Sequence, residues 1–145
     1  MKKFSNIEDL TITNKIKFDD LFRLYIETVG INNVDKNTEY TLKNFDDLIK
    51  QNNGSYIVIK KKHTIISVAM LINDEKNSNL ILNLNDKKFR RKGSNSFLVK
   101  EILDYCVKKK IDILDFNGAN SPNRADDKHS YGASSKVFFE ILLEN

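Results

Sequence analysis

The chain has 145 residues, of which 40% are hydrophobic and 30% charged; this composition is typical of a folded domain with a core and excludes a disordered chain. The formal net charge of +4 favours an anionic partner such as a nucleotide, a phosphate-bearing substrate or RNA. Cys106 is the one cysteine, which excludes an internal disulfide and a cysteine-rich metal site.

The N-terminal stretch MKKFSNIEDL is basic but lacks a following apolar segment, so we expect no signal peptide. No run approaches the roughly 20 apolar residues that a membrane span needs. We therefore expect a cytoplasmic protein. The sequence contains no repeat, low-complexity segment or linker, and residues 1–145 are expected to form a single domain.

A weak strand near DLTIT is followed by two predicted amphipathic helices. NKIKFDDLFRLYIETVG places its apolar residues on one helical face, and Gly30 is suited to end that helix. NTEYTLKNFDDLIKQNNG repeats the pattern, with Asn37 or Thr38 as its cap and Asn53-Gly54 as its end.

The apolar period then changes from helical to strand-like. SYIVIKK and TIISVAMLI are rich in β-branched residues and are joined by KKKH as a hairpin tip. NLILNLN is the next strand, reached through the polar turn NDEKNSN. A helix from Ser96 to Lys110, the strand IDILDF, a polar stretch from Asn117 and a last strand KVFFEILL complete the chain.

This order predicts a mixed α/β (α+β) fold. Short turns make the earlier strands antiparallel, whereas the helix before IDILDF is a crossover that suits a parallel pair. We expect a central mixed sheet of about six to seven strands, flanked by about four helices.

A basic stretch with one glycine lies at the start of the third long helix. Arg90-Arg91-Lys92-Gly93-Ser94-Asn95 resembles the phosphate loop of GNAT acyltransferases, which has Gln or Arg, two free positions, Gly, one free position, and Gly or Ala. Asn95 departs from the final small residue. The order of elements is also similar to the GNAT fold, which implies a sheet splayed between the fourth and fifth strands.

A second motif lies near the C-terminus. Asp115-Phe116-Asn117-Gly118 and Tyr131-Gly132 are similar to a signature of Fem-type and amino-sugar N-acyltransferases in the GNAT superfamily. Fem-type enzymes carry two such domains in tandem, whereas this chain has the length of one. The resemblance implies an acyl-CoA donor, foremost acetyl-CoA, and no metal.

The physical reason for such a loop is independent of the family. The first turn of a helix leaves backbone N–H groups free, and a glycine lets that backbone approach a pyrophosphate. Alternatively, Ser94 or Asn95 is an ordinary N-cap and the cations form a solvated loop. The expected cofactor contacts are Phe89, Arg90, Arg91, Lys92, Gly93, Ser94, Asn95, Ser96 and Asn123.

Acyl transfer to an amine also needs groups that handle protons. Many GNAT enzymes place a glutamate on the fourth strand, but NLILNLN carries Asn83 and Asn85 at alternate positions and no carboxylate. The catalytic candidates are Asp115, His129 and Tyr131. Asp115 could instead cap the turn after its strand, and Tyr131 could be a core aromatic residue. His129 has no partner that the sequence identifies. Cys106 is expected in the core.

Two classes of function follow. The first is an N-acyltransferase that uses acyl-CoA and a primary amine, such as a nucleotide-linked amino sugar of a cell-surface polysaccharide pathway. The second is a non-catalytic GNAT-like module that binds a nucleotide or RNA through the basic loop. A Fem-like transferase using aminoacyl-tRNA is a variant of the first. A homodimer is compatible with either.

Overall fold

The computed structural model describes residues 9–117 and 128–136. The chain divides into two compact units, Met1–Asp115 and Phe116–Asn145. The strands and α-helices of residues 9–117 are β1 (Leu10–Thr13), α1 (Phe18–Val29), α2 (Thr38–Lys50), β2 (Gly54–Lys61), β3 (Thr64–Asp74), β4 (Asn77–Asn85), the one-turn α3 (Lys87–Arg90), α4 (Ser94–Lys109) and β5 (Ile113–Asp115). A 3₁₀ turn, Ile31–Asn33, separates α1 from α2. No helix in this described part is long and apolar enough to cross a membrane.

The five strands form one sheet in the order β1-β2-β3-β4-β5. The first four strands pair antiparallel with their neighbours, and β4 pairs parallel with β5, as the crossover predicts. The described pairing of β4 with β5 covers Asn77–Asn79, whereas β4 continues to Asn85. β5 is thus paired over all three of its residues, and the splaying of the two strands stays a prediction.

Helices pack on both faces of the sheet. Side chains alternate between the faces of a strand, so the faces of β2, β3 and β4 can be assigned from their neighbours. One face packs against α1 and α2 in a buried apolar cluster: Leu21, Leu24, Tyr56, Val58, Val68, Met70 and Leu84. The opposite face packs against α4, whose buried residues include Leu98, Ile102 and Cys106. Cys106 is therefore a core residue, as expected, and burial raises the pKa of its thiol.

Gly54 is the first residue of β2 and does not end the preceding helix, contrary to the sequence-based prediction. It pairs with Ile72 on β3, and a Cβ at this position would lie 2.2 Å from the carbonyl oxygen of Leu71. Glycine is required here because two backbones approach closely inside a sheet.

α2 begins at Thr38 with Asn37 as its N-cap residue, which is one of the two predicted alternatives. The Asn37 side chain makes no capping hydrogen bond; instead the carboxylate of Asp35 accepts from the Asn37 backbone N–H and from the hydroxyl of Thr38. Hydrogen bonds from these two residues lower the pKa of Asp35. The basic loop contains a one-turn helix, α3, and α4 begins at Ser94, before the predicted Ser96.

The described residues contain five strands, fewer than the six to seven predicted. The predicted last strand, KVFFEILL, lies outside them apart from Lys136, which is not in a strand. The expectation of a single domain stays a prediction.

A buried hydrogen bond joins α2 to the sheet. The hydroxyl of Tyr56 on β2 donates to Asp46 Oδ1 over 2.7 Å, and Asp46 is 5% exposed. Lys50 Nζ lies 2.6 Å from the other carboxylate oxygen of Asp46. Burial, followed by the nearby Asp46 carboxylate, raises the pKa of Tyr56, so the phenol stays protonated and remains a donor.

We expect Tyr56→Phe to lower the free energy of unfolding by about 1–2 kcal/mol, because it leaves a buried carboxylate with one partner fewer. Urea denaturation measures this change. Tyr40→Phe is the matched control, since Tyr40 is 69% exposed and should lose almost nothing. Equal stability of the two variants would contradict a stabilising role for the Tyr56–Asp46 bond.

Candidate functional site

The candidate site is built where β4 ends and α4 begins. Asp86 follows β4 directly and caps α3, since its Oδ1 accepts from the backbone N–H of Lys88 at 2.8 Å. The backbone N–H of Asp86 donates to the carbonyl of Ile66 on the neighbouring strand β3 at 2.8 Å. These bonds fix the short basic helix to the ends of β3 and β4 from which the chain continues into α4.

Gly93 forms the junction between the basic segment and α4. Its φ of 90° and ψ of 20° lie in the left-handed region, which glycine adopts far more readily than other residues. This conformation lets the chain turn from α3 into α4 within Arg91–Gly93. This backbone conformation favours glycine, whereas the predicted approach to a pyrophosphate stays a prediction. Gly93 is itself the N-cap residue of α4, so neither Ser94 nor Asn95 is the N-cap.

The first turn of α4 presents free backbone donors. Among the described residues, no acceptor lies within hydrogen-bonding distance of the backbone N–H of Ser94 or Asn95. The first backbone N–H groups of a helix point outward along its axis, where the helix dipole adds partial positive charge. Such an end binds anions, and phosphate groups fit it well.

Five cations lie in the segment that leads into this helix end: Lys87, Lys88, Arg90, Arg91 and Lys92. Within the described residues none of them forms an ion pair with a carboxylate. Arg90 Nε donates to the carbonyl of Asn85 at 3.1 Å, and Lys92 Nζ lies 5.4 Å from the centre of the Phe89 ring. The positive field at the rim is therefore not neutralised by neighbouring carboxylates.

Beneath the rim, a network of side-chain amides and hydroxyls joins β3, β4 and α4. Asn85 Oδ1 accepts from Ser67 Oγ at 2.7 Å and from Ser94 Oγ at 3.0 Å. Asn85 Nδ2 donates to the side-chain oxygens of Asn83, at 2.8 Å, and Asn95, at 3.3 Å. Asn83 Nδ2 also donates to Asn95 Oδ1, at 2.9 Å. The site is thus held by neutral polar groups.

The network accounts for both departures from the family pattern. Asn95 stands where a small residue is usual, and its side-chain oxygen accepts from Asn83 and Asn85. Asn83 and Asn85 in turn occupy β4, where a carboxylate is usual, and the nearest carboxylate along the chain, Asp86, is engaged in capping α3. The unusual residues therefore form one connected set.

Sequence reasoning missed the role of Ser67 and the burial of Ser94. Both residues are fully buried, and Asn85 is 6% exposed. The available signal was a lone serine inside the apolar run TIISVAMLI, because a buried hydroxyl in a strand requires a partner. The partner lies on the adjacent strand and could not be identified without the register of β3 against β4.

Asp115, the first catalytic candidate, is the last residue of β5 and belongs to the first unit. It is half-buried and lies opposite Asn79 in the parallel ladder. Phe116 and Asn117 follow it outside the strand, and Gly118 of the same motif lies outside the described residues.

His129 and Tyr131 belong to the second unit, in which residues 128–130 are helical. His129 Nδ1 lies 2.8 Å from the carbonyl oxygen of Ala133, so this nitrogen carries a proton and donates. His129 Nε2 lies 3.2 Å from Ser135 Oγ. Tyr131 is half-buried in the turn closed by Gly132, whose φ is 86°. Asn123 lies outside the described residues.

No protein-family model matches the chain, and no curated protein matches it. Several solved structures are similar to this chain. Glucosamine-6-phosphate N-acetyltransferase from Arabidopsis thaliana has 17% identity and a TM-score of 0.65, covering 95% of this chain and 100% of its own. An aminoglycoside acetyltransferase from an uncultured soil metagenomic sample, in complex with sisomicin, has 17% identity and a TM-score of 0.70, with 94% and 97% covered.

A third solved structure, AAC(6′)-Iy with the bisubstrate analogue CoA-S-monomethyl-acetylneamine, has 10% identity and a TM-score of 0.66, with 94% and 97% covered. At these identities the likeness concerns the fold. The neighbours are GNAT-family N-acetyltransferases. The order of strands, the parallel β4–β5 pair and the helix that begins after Gly93 agree with that fold. The chain therefore has the GNAT fold.

Proposed function

We propose that this protein is an N-acyltransferase that transfers an acyl group, foremost acetyl, from acyl-CoA to a primary amine. The observation that carries the proposal is the first turn of α4: the backbone donors of Ser94 and Asn95 have no partner among residues 9–117 and 128–136, and the turn directly follows a segment with five cations. A GNAT fold with such a turn is suited to a phosphate-bearing acyl donor.

The residues present fit the pyrophosphate of CoA. The backbone N–H of the half-exposed Asn95 would donate to its oxygens, and that of the buried Ser94 would add partial positive charge beneath it. Gly93 would let the backbone approach the phosphates. Arg90, Arg91 and Lys92 would add positive charge at the rim. Phe89, Ser96 and Asn123 complete the proposed contacts. Acyl-CoA supplies the acyl group as a thioester, which an amine can attack directly.

The acceptor we propose is a small molecule with a primary amine on a sugar. Three solved neighbours support this class: one named for glucosamine-6-phosphate and two solved with an aminoglycoside or an acetylneamine analogue. The Asp-Phe-Asn-Gly and Tyr-Gly pair supports the amino-sugar branch of the superfamily, including acceptors linked to nucleotides. A cytoplasmic location is part of this proposal because acyl-CoA is a cytoplasmic metabolite.

The reaction requires three proton transfers. The ammonium form of the amine loses one proton before its nitrogen attacks the thioester carbon; the C–N bond then forms, the C–S bond breaks, the nitrogen loses a second proton and the thiolate takes one up. Asp115 and His129 are the proposed groups for the amine proton, and Tyr131 is the proposed donor to the thiolate. Asp115 is half-buried, and His129 is oriented by its bond to Ala133.

One observation favours a different function. β4 carries Asn83 and Asn85, with no carboxylate in the position usual for a base. A non-catalytic module that binds a nucleotide or RNA through the same basic turn would need none. Acetyl transfer to any amine, detected as free CoA thiol, separates the two. The Fem-like variant differs by requiring aminoacyl-tRNA as its donor.

We expect CoA to bind with an affinity that falls as salt is added. The cations near α4 are exposed, and the Debye length shortens from about 10 Å at 0.1 M salt to about 3 Å at 1 M. Calorimetric titrations at two ionic strengths measure the change. Absence of binding at low salt would contradict the proposed donor.

We expect Gly93→Ala to weaken CoA binding, because a Cβ at this φ strains the turn that presents the amides. The strain should also lower stability by about 1–2 kcal/mol. Gly30→Ala is the control for backbone strain, since Gly30 also has a φ of 90°, with a ψ of 140°, at the end of α1. This ψ is even less accessible to alanine, so the control should lose at least as much stability and still keep its affinity for CoA. Equal CoA affinity of wild type and Gly93→Ala would refute a role for this turn in phosphate binding.

We expect Asp115→Asn or His129→Gln to lower kcat by about 10²–10⁴-fold with CoA affinity unchanged, because each would remove a proton acceptor without touching the α4 turn. Steady-state kinetics with an amine acceptor give kcat, and titration gives the affinity.

Each variant has a matched control in the same chain. Asp112→Asn removes the exposed carboxylate just before β5, which pairs with Lys76, and His63→Gln removes the other histidine, in the β2–β3 turn. Both controls should keep full turnover. If Asp115→Asn and His129→Gln also keep it, neither residue handles the amine proton.

A further inference from the structure

The hydrogen-bonding capacity of the Asn85 side chain is fully used. A side-chain amide offers two acceptor positions on its oxygen and two donors on its nitrogen. The oxygen of Asn85 accepts from Ser67 and Ser94, and its nitrogen donates to Asn83 and Asn95. Because Asn85 is 6% exposed, losing a partner would leave a buried polar group unsatisfied.

The partners of Asn85 come from different elements. Ser67 lies on β3, Asn83 lies on β4, and Ser94 and Asn95 are the first two residues of α4. The bonds to Ser94 and Asn95 therefore set the distance and rotation of the first turn of α4 relative to the sheet. The backbone N–H groups of these same two residues have no partner in the described part of the chain and form the candidate site.

We propose that Asn85 is a positioning residue that acts through Ser94 and Asn95 to hold the first turn of α4 ready for the CoA pyrophosphate. This inference rests on the proposed function. Asn85 does not bind the phosphates itself. It fixes the donors before the ligand arrives, so binding does not have to order them, and this raises affinity.

A carboxylate at position 85 could not do the same work. It would still accept from Ser67 and Ser94, but it has no N–H to donate to Asn83 and Asn95. It would also place a negative charge below a phosphate site. The amide network and a carboxylate at this position are therefore alternatives, and this chain has the network.

A second hydrogen-bonded asparagine, Asn73 on β3, lies beside the start of β4, and its partner Ser78 provides the matched control. Asn73 Oδ1 accepts from the buried hydroxyl of Ser78 at 2.8 Å, and its Nδ2 donates to the Tyr105 hydroxyl of α4 at 2.8 Å. Asn73 thus also joins the sheet to α4, but far along the helix from Ser94. Loss of this link should affect stability and leave the α4 turn unchanged.

The test compares CoA affinity and denaturation midpoint for wild type, Asn85→Leu, Ser94→Ala and the control Ser78→Ala. Asn85→Leu keeps the branched shape of the side chain, although leucine is larger, and removes all four bonds, so CoA affinity should fall by about 10-fold or more. Ser94→Ala removes one hydroxyl and keeps the backbone N–H, and the affinity should fall by about 2–10-fold. Ser78→Ala removes a matched hydroxyl and should lose stability alone.

The outcomes distinguish the inference from the proposed function. A wild type that does not bind CoA overturns both. A wild type that binds CoA, with Ser94→Ala and Ser78→Ala binding equally well, overturns the positioning role and leaves the proposed function standing. If Asn85→Leu does not fold, the serine pair still decides, because both variants change one buried hydroxyl.

Discussion

The site depends on one constraint: the side chain of Asn85 has four hydrogen bonds, and they connect the end of β4 with the start of α4. A helix packed on a sheet by apolar contacts alone can shift and rotate, because those contacts have little directionality. Hydrogen bonds require specific distances and angles. The apolar packing of Leu98 and Ile102 places α4 on the sheet, and the amide network fixes where its first turn points.

The distribution of charge at this end of the sheet follows from burial. A buried ion carries a large desolvation cost, whereas a hydrogen-bonded amide does not. The groups beneath the turn are neutral serine hydroxyls and asparagine amides, and the cations are outside, at the exposed rim. The N–H groups of Ser94 and Asn95, which have no partner within the described residues, follow the cationic segment directly along the chain. An anion there would have directed donors on one side and diffuse positive charge on the other.

The parts predicted from sequence were those encoded locally. The apolar periodicity of α1 and α2 and the β-branched runs of β2 and β3 gave those elements, and Gly93 was assigned to a turn that has positive φ. Contacts across the sheet were not predictable. Gly54 is a strand residue because of Leu71 on β3, and Ser67 and Asn85 are partners although 18 residues separate them. Both facts depend on strand register, which local patterns do not define.

The central claim is that the backbone donors at the start of α4 receive the pyrophosphate of CoA. The most direct measurement is an NMR titration of ¹⁵N-labelled protein with CoA, with pantetheine, which lacks the pyrophosphate, as a parallel titrant. The account predicts that CoA shifts the amide resonances of Ser94 and Asn95 and that pantetheine leaves them in place. CoA binding that leaves both amides unshifted, or equal shifts with pantetheine, would contradict it.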